Sequence, residues 1–322
     1  MAAQDGPDGG RSAGGPVRLR RPAQAKAISE LHENPDYLPG ITLTSSLEAT
    51  SDAAAALDGA DIAAFAVPAQ SLRANLAGWA PLIPSGALLV SLIKGIELGT
   101  RARMSEVICE VAGADAARVA VVAGPNLAGE IIRRQVTGTV MACVSDEGAL
   151  ALQAACHTPY FRPYTNTDVT GCELGGAVKN IIAIVVGVAV AMGLGDNTRA
   201  LLITRGLAEM ARLGSALGAQ AQTFAGLAGM GDLVATCSSP LSRNRTFGEN
   251  LGRGMSVAEA AALSQTAEGV ASCVPVLELA RSHGVEMPIT EVAAAVMRDG
   301  LPVEEAASML ASRSAKPEWY GP

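Results

Sequence analysis

Four runs in the first half of this 322-residue chain are apolar without alternation: DIAAFAVPA, GALLVSLIKG, RVAVVAGPN and GTVMACVS. A strand with one wet face alternates apolar and polar residues, whereas a strand apolar throughout must be covered on both faces. Segments with helical spacing separate the runs, and a shorter strand-like VRLRR, followed by helical PAQAKAISELHE, precedes them from Val17. The pattern predicts an α/β doubly wound parallel sheet, Rossmann-like, over residues 17–167. Beyond Asp168 the strands stop: CELGGAVKNIIAIVVGVAVAMGL, NTRALLITRGLAEMARLGSALG, the stretch from Ala267 to His283 and EVAAAVMRDG all carry helical spacing. Gly-rich turns such as AGMGD and LGRGM are expected between them. Residues 168–322 therefore read as an all-α domain abutting the sheet across a cleft, and residues 1–16 as a polar tail rich in Gly, Asp and Pro.

Composition narrows what such a fold can do. A formal net charge of -7, with no basic block or interleaved aromatics, argues against a nucleic-acid or anionic-membrane surface. The run IIAIVVGVAVAMGLG is short of the roughly 20 residues a membrane span needs and is bounded by Lys179 and Asp196, so it is expected to be a core helix. Six cysteines sit singly in apolar stretches, without CxxC spacing or a visible secretory signal, which suits a reducing cytoplasm. Three widely spaced histidines give no expectation of a metal site. Only four of the 24 basic residues are lysines, namely Lys26, Lys94, Lys179 and Lys316. Only an amine readily loses its proton when buried, so these positions are candidates for work that arginine cannot do.

In a doubly wound sheet, ligands bind just past the carboxyl ends of the strands. Two such ends carry Lys94-Gly95 and Gly124-Pro125-Asn126, where glycine admits a ligand to the backbone and Asn126 can cap the next helix. Each alone reads equally as a solvated charge or a plain turn; together they mark one rim. In GGAVKN, Lys179 is expected near a helix start, where the macrodipole lowers an amine's pKa, the alternative being a snorkelling lysine. In GMGDLVATCSSPLSRNR, Asp232 and Thr236 share a helical face, and Ser242, Arg243, Asn244 and Arg245 offer donors suited to a phosphate, or else form a solvated loop.

The strings NPDYLPG, AVPAQSLR, SLIKGIE, SEV, AGPNLAGE, GCELGGAVKNIIAI, GLGDNTRALLITRGLAEM, TFAGLAGMGDL, SRNRTFG and EMPI, in this order and spacing, resemble bacterial NAD(P)-dependent glycerol-3-phosphate dehydrogenases. The resemblance covers residues 17 to about 315. It implies reversible reduction of dihydroxyacetone phosphate to sn-glycerol 3-phosphate, supplying glycerophospholipid synthesis, with NADP or NAD as cofactor. It further implies that Lys179 is the proton acceptor for the C2 hydroxyl, and that Lys94, Gly124, Asn126, Asp232, Ser242, Arg243 and Asn244 contact substrate. Arg20, Arg21, Tyr37, Lys94, Ala128, Arg243 and Glu268 are implied on the cofactor side. The only partner implied is a small molecule; there is room for a homodimer, and the compartment is the cytoplasm.

One departure stands out. The family begins with a strand and a GxGxxG loop ahead of the point matching Val17, and no stretch of this sequence completes that motif. The sheet domain is therefore expected as a truncated dinucleotide-binding domain with a new interior edge. Three readings follow: a dehydrogenase whose recorded start is displaced or frame-shifted, a cofactor-impaired glycerol phosphate-binding protein, and another hydroxyacid dehydrogenase on the same fold. The SRNR cluster disfavours the last, since it suits phosphate better than carboxylate.

Overall fold

The computed structural model describes residues 15–263, 267–314 and 317–318; residues 1–14 of the expected tail lie outside them. Strand β1 (Val17–Arg18) leads into helix α1 (Pro22–Leu31), followed by the hairpin of β2 (Glu33–Asn34) and β3 (Leu38–Thr42), then β4 (Ala49–Thr50). Next come α2 (Ala53–Leu57), β5 (Ile62–Phe65), α3 (Leu72–Trp79), β6 (Leu88–Ser91), α4 (Met104–Ala112) and β7 (Val119–Ala123). The sheet region closes with α5 (Ala128–Ile131), β8 (Thr137–Cys143), α6 (Asp146–Cys156) and β9 (Phe161–Asn166). After that the described residues form helices only: α7 (Val169–Ala191), α8 (Asp196–Ala216), α9 (Ala221–Ala225), α10 (Asp232–Ser238), α11 (Arg243–Gly252), α12 (Val257–Leu263), α13 (Glu268–Ser282), α14 (Pro288–Asp299) and α15 (Val303–Ala311).

The main sheet has the order β5-β6-β7-β8-β9. Its apolar runs follow from burial on both faces. Leu89 packs with Leu72, Leu76 and Met104 beneath α3 and α4, while the next residue, Val90, packs with Ala149 and Leu152 of α6 on the other side. Pairing is parallel except between β7 and β8, which run antiparallel. The expected parallel sheet is thus mixed at one junction. A parallel crossover needs a connection that packs a helix back across the sheet, and residues 124–136 supply only the four-residue α5.

Among the described residues, β1 and β4 form a separate parallel ladder. It meets the main sheet through side chains: Arg18 lies over the Trp79 ring at 5.1 Å, and Trp79 stacks on Phe65 with centroids 6.3 Å apart.

Helix α7 is the axis of the second half. It is long and apolar enough to cross a membrane by length and composition, because the helix begins well before the run read from sequence. Almost all of it is buried inside the protein, which is the pattern of a core helix packed on every side. Its contact with α11 is close because glycines meet backbone: a Cβ on Gly187 would strike the Arg245 carbonyl, and one on Gly248 the Ile184 carbonyl. The AGMGD segment, expected as a turn, is instead a π-helical turn (Leu227–Gly231) running directly into α10. Gly229 there packs so tightly on Phe224 that no side chain would fit, which is why this glycine signals packing rather than a chain reversal.

Gly248→Ala is therefore expected to destabilise the fold by about 1–3 kcal/mol through overpacking. Urea unfolding reads this as a lower midpoint at unchanged slope; an unaltered midpoint would mean that the α7–α11 contact is looser than described.

Candidate active site

Three segments remote in sequence converge at the carboxyl ends of β6 and β7. Lys94 lies three residues past β6, and Gly124 follows β7 with φ +95, a conformation open to glycine. Lys94 Nζ donates to the Gly124 carbonyl at 3.1 Å and to Asp232 Oδ2 at 2.6 Å. Asp232 is the first residue of α10, and its other oxygen, Oδ1, accepts from Lys179 Nζ at 2.5 Å. One turn on, Thr236 Oγ1 accepts from the same ammonium at 2.7 Å. The side chains of Lys179 and Asp232 are only 8% and 2% exposed, so this ion pair is held in a medium of low polarity.

Burial pushes the Lys179 amine down to about 7, with the Lys94 cation adding to the effect and the Asp232 carboxylate opposing both. The depressed basicity expected from sequence is present, but its expected cause is not. Lys179 lies in the middle of α7, far beyond the first turn over which a macrodipole acts. Desolvation and a neighbouring cation do the lowering instead. An amine that titrates near neutrality, beside a strand-end rim, can take a proton from a hydroxyl or return one to a carbonyl.

The other candidates divide into two groups. Asn244 Oδ1 accepts from the Gly269 amide at 2.9 Å, which seats the start of α11 on the start of α13. Glu268, the first residue of α13, is pushed up by burial and held back by Arg243, and its carboxylate approaches Gly95 beside Lys94. Ser242 is buried and caps α11 through the Arg245 amide, while Arg243 is exposed at that helix start. Asn126 does not cap α5, whose N-cap is Leu127; its Nδ2 donates to Thr139 Oγ1 on β8 at 2.9 Å. The reason is the antiparallel β7–β8 pairing, which sets Thr139 beside the end of β7. Asn126 Oδ1 is left buried without a partner. Ala128 is exposed at the start of α5.

Arg20, Arg21 and Tyr37 belong to the β1–β4 half. Arg21 is paired with Asp36 at 2.5 Å, Tyr37 is exposed in the turn between β2 and β3, and among the described residues none of the three hydrogen-bonds to the lysine cluster. Sequence reasoning assigned no role to Thr236 beyond sharing a face with Asp232. That i, i+4 spacing was the signal that could have placed it at the amine. It also passed over Ser272, one turn past Glu268 on α13, whose hydroxyl is fully buried without a partner and faces Gly95.

The chain matches two family models, described as NAD-dependent glycerol-3-phosphate dehydrogenase N-terminus, over residues 13–149, and C-terminus, over residues 168–308. It is 63% identical over 303 residues to the glycerol-3-phosphate dehydrogenase (NAD(P)+) of Thermobifida fusca, covering 94% of this chain and 90% of that one. To the protein of the same name from Streptomyces griseus it is 62% identical over 300 residues, covering 93% and 89%. A crystal structure of glycerol-3-phosphate dehydrogenase from Coxiella burnetii superposes with a TM-score of 0.87 at 35% identity, covering 92% of this chain and 91% of that one.

Asp232→Asn is expected to leave two amines facing each other without a counter-ion, at a stability cost of about 3–5 kcal/mol where both are charged. The loss should be larger at pH 6 than at pH 9, because Lys179, titrating near 7, is neutral at the higher pH. Equal losses at the two pH values in thermal unfolding would contradict the assigned titration.

Proposed function

The chain belongs to the NAD-dependent glycerol-3-phosphate dehydrogenase family, and from that premise we propose that it interconverts dihydroxyacetone phosphate and sn-glycerol 3-phosphate, with Lys179 moving the proton. It is an oxidoreductase that uses NAD or NADP. The observation that carries the proton-transfer role is the buried Lys179 amine, titrating near 7 against Asp232 and Thr236 at the strand-end rim.

The residues present suit the nicotinamide and ribose sides of the dinucleotide, while the sequence carries no GxGxxG loop for its pyrophosphate. Ala128 leaves the start of α5 uncovered, and Arg20 offers a guanidinium just past β1 to a ribose or its phosphate, beside Arg21, which is paired with Asp36; Asn126, on the substrate side, keeps a buried oxygen without a partner at the end of β7. Glu268 and Lys94 would line the side nearer the chemistry. When bound, the nicotinamide supplies the hydride chemistry. The rest falls to the chain. Neutral Lys179 takes the C2 hydroxyl proton in oxidation, and its ammonium returns one to the carbonyl oxygen in reduction. Asp232 keeps the amine in place, and Arg243, with Ser242 and Asn244 at the start of α11, holds the phosphate so that C2 is fixed relative to Lys179. Six free cysteines support the further proposal of a reducing, cytoplasmic setting. Nothing in the fold or the matches favours a non-catalytic phosphate-binding protein.

Consumption of reduced nicotinamide that depends on dihydroxyacetone phosphate is the expected result; activity only with a 2-oxo acid would replace this substrate assignment. Lys179→Ala should lower kcat by about 10²- to 10⁴-fold with KM changed far less. Turnover equal to the parent's would remove Lys179 from the proton step. Arg243→Ala should raise KM for the phosphate substrate by about 10- to 100-fold, the worth of hydrogen bonds to a charged group. An unchanged KM would show that the phosphate lies elsewhere. Because oxidation needs the neutral amine and reduction the ammonium, kcat for oxidation should rise, and kcat for reduction fall, as pH increases through about 7. Parallel limbs in both directions would contradict this.

A further inference from the structure

Lys94 stands on a short hairpin. Ile96 bridges to Arg103, and the Glu97 amide donates to the Ala102 carbonyl at 2.9 Å, so residues 96–103 fold back on themselves before α4 begins. Within the sheet domain the hairpin is held by Arg73, which forks onto Glu97 with two bonds of 2.9 Å, and by Gln70 on the Ile96 carbonyl at 2.8 Å. Toward α7 its hydrogen bonds among the described residues end on one side chain, Glu173. That carboxylate accepts from the Ser105 amide at 2.8 Å, the Ser105 hydroxyl at 2.5 Å and Arg103 Nη1 at 2.8 Å. It thereby satisfies an amide in the first turn of α4 that no side chain of that turn reaches.

The stretch of α7 from Glu173 to Lys179 carries one of the two amines and meets the segment that bears the other. Glu173 grips the far arm of the hairpin, and Gly176 leaves a groove for the stem of Lys94, since a Cβ there would lie 3.3 Å from Lys94 Cγ. Lys179 then reaches Asp232 from the opposite side to Lys94. We propose that Glu173 is a positioning residue for the reaction: by pinning Arg103 and Ser105 to α7, it sets the approach of Lys94 to Asp232 and so to the Lys179 amine. It touches neither reacting atoms nor the lysines, and acts through the hairpin. The inference rests on the proposed dehydrogenase function for its kinetic consequence, but its geometry does not.

Glu173→Gln preserves size and one acceptor while setting an amide nitrogen against Arg103. Three results are expected together. Amide hydrogen exchange should rise in residues 92–103. The kcat/KM for dihydroxyacetone phosphate should fall about tenfold, within the roughly 100-fold that a displacement of about an ångström can cost. The pH limb of Lys179 should move upward, because a displaced Lys94 no longer holds that amine down. Mere removal of a buried negative charge would move the limb downward or leave it in place, and either outcome overturns the proposal. In a Lys94→Met background the same substitution should cost less than about twofold, since coupled sites are not additive. A full, additive cost there, or unchanged exchange in 92–103, would equally overturn it. If Glu173→Gln does not fold, Ser105→Ala, which removes one of the three bonds, is expected to give the same three shifts in smaller measure, and its indifference to all three counts against the pin. Absence of turnover in the parent chain would defeat the functional reading, while exchange in the variant would still decide whether Glu173 holds the hairpin.

Discussion

Two amines share one buried carboxylate, and most of the structure can be understood as what this arrangement requires. An unpaired ammonium in a dry interior is expensive, so Lys179 must meet Asp232, and Asp232, itself almost wholly covered, must be neutralised in turn. The pair is left incompletely satisfied by design of its surroundings. Burial disfavours the charged amine, Lys94 competes for the same carboxylate, and the result is an amine whose proton is loosely held near neutral pH. Stability is traded here for a group that can gain and lose a proton.

Holding the cluster demands close packing along α7. Glycines at 175 and 176 let the π-helical turn and Lys94 approach that helix, and Gly187 and Gly248 let α11 lie against it. These contacts place Asp232, Lys94 and the start of α11, with Ser242, Arg243 and Asn244, around one stretch of a single rigid helix. Residues separated by 138 positions in the chain, Lys94 and Asp232, are thereby brought within hydrogen-bonding distance. The sheet contributes its strand ends, where a backbone carbonyl at Gly124 completes the shell around Lys94.

Much of this was legible from residue patterns. Continuous apolar runs announce strands covered on both faces, and the main helices of the second half follow their apolar spacing closely. The scarcity of lysine pointed to Lys94 and Lys179, and a likeness to a known family named the remaining candidates. What stayed hidden depends on contacts between distant segments. The two glycines before Lys179 look like a helix start, yet they are contact points inside a continuous helix, so the cause first assigned to the low pKa was wrong. Asn126 has the sequence signature of a cap, but the antiparallel turn of β8 offers it Thr139 instead. AGMGD has the composition of a turn, but its Gly229 serves packing on Phe224. Glu173 gave no signal at all, since a single acidic residue in an apolar helix reveals its partners only when the hairpin at Arg103 is placed beside it.

The central claim is that Lys179, buried beside Lys94 and paired with Asp232, has its basicity pushed far below that of an ordinary lysine, to about 7. The chain has four lysines, so uniform labelling at the lysine ε-carbon gives four resonances, and Lys179→Arg identifies one of them. Its titration by carbon-detected NMR should show a midpoint at about 7. A midpoint for that resonance near the usual lysine value of about 10.4 would contradict the account.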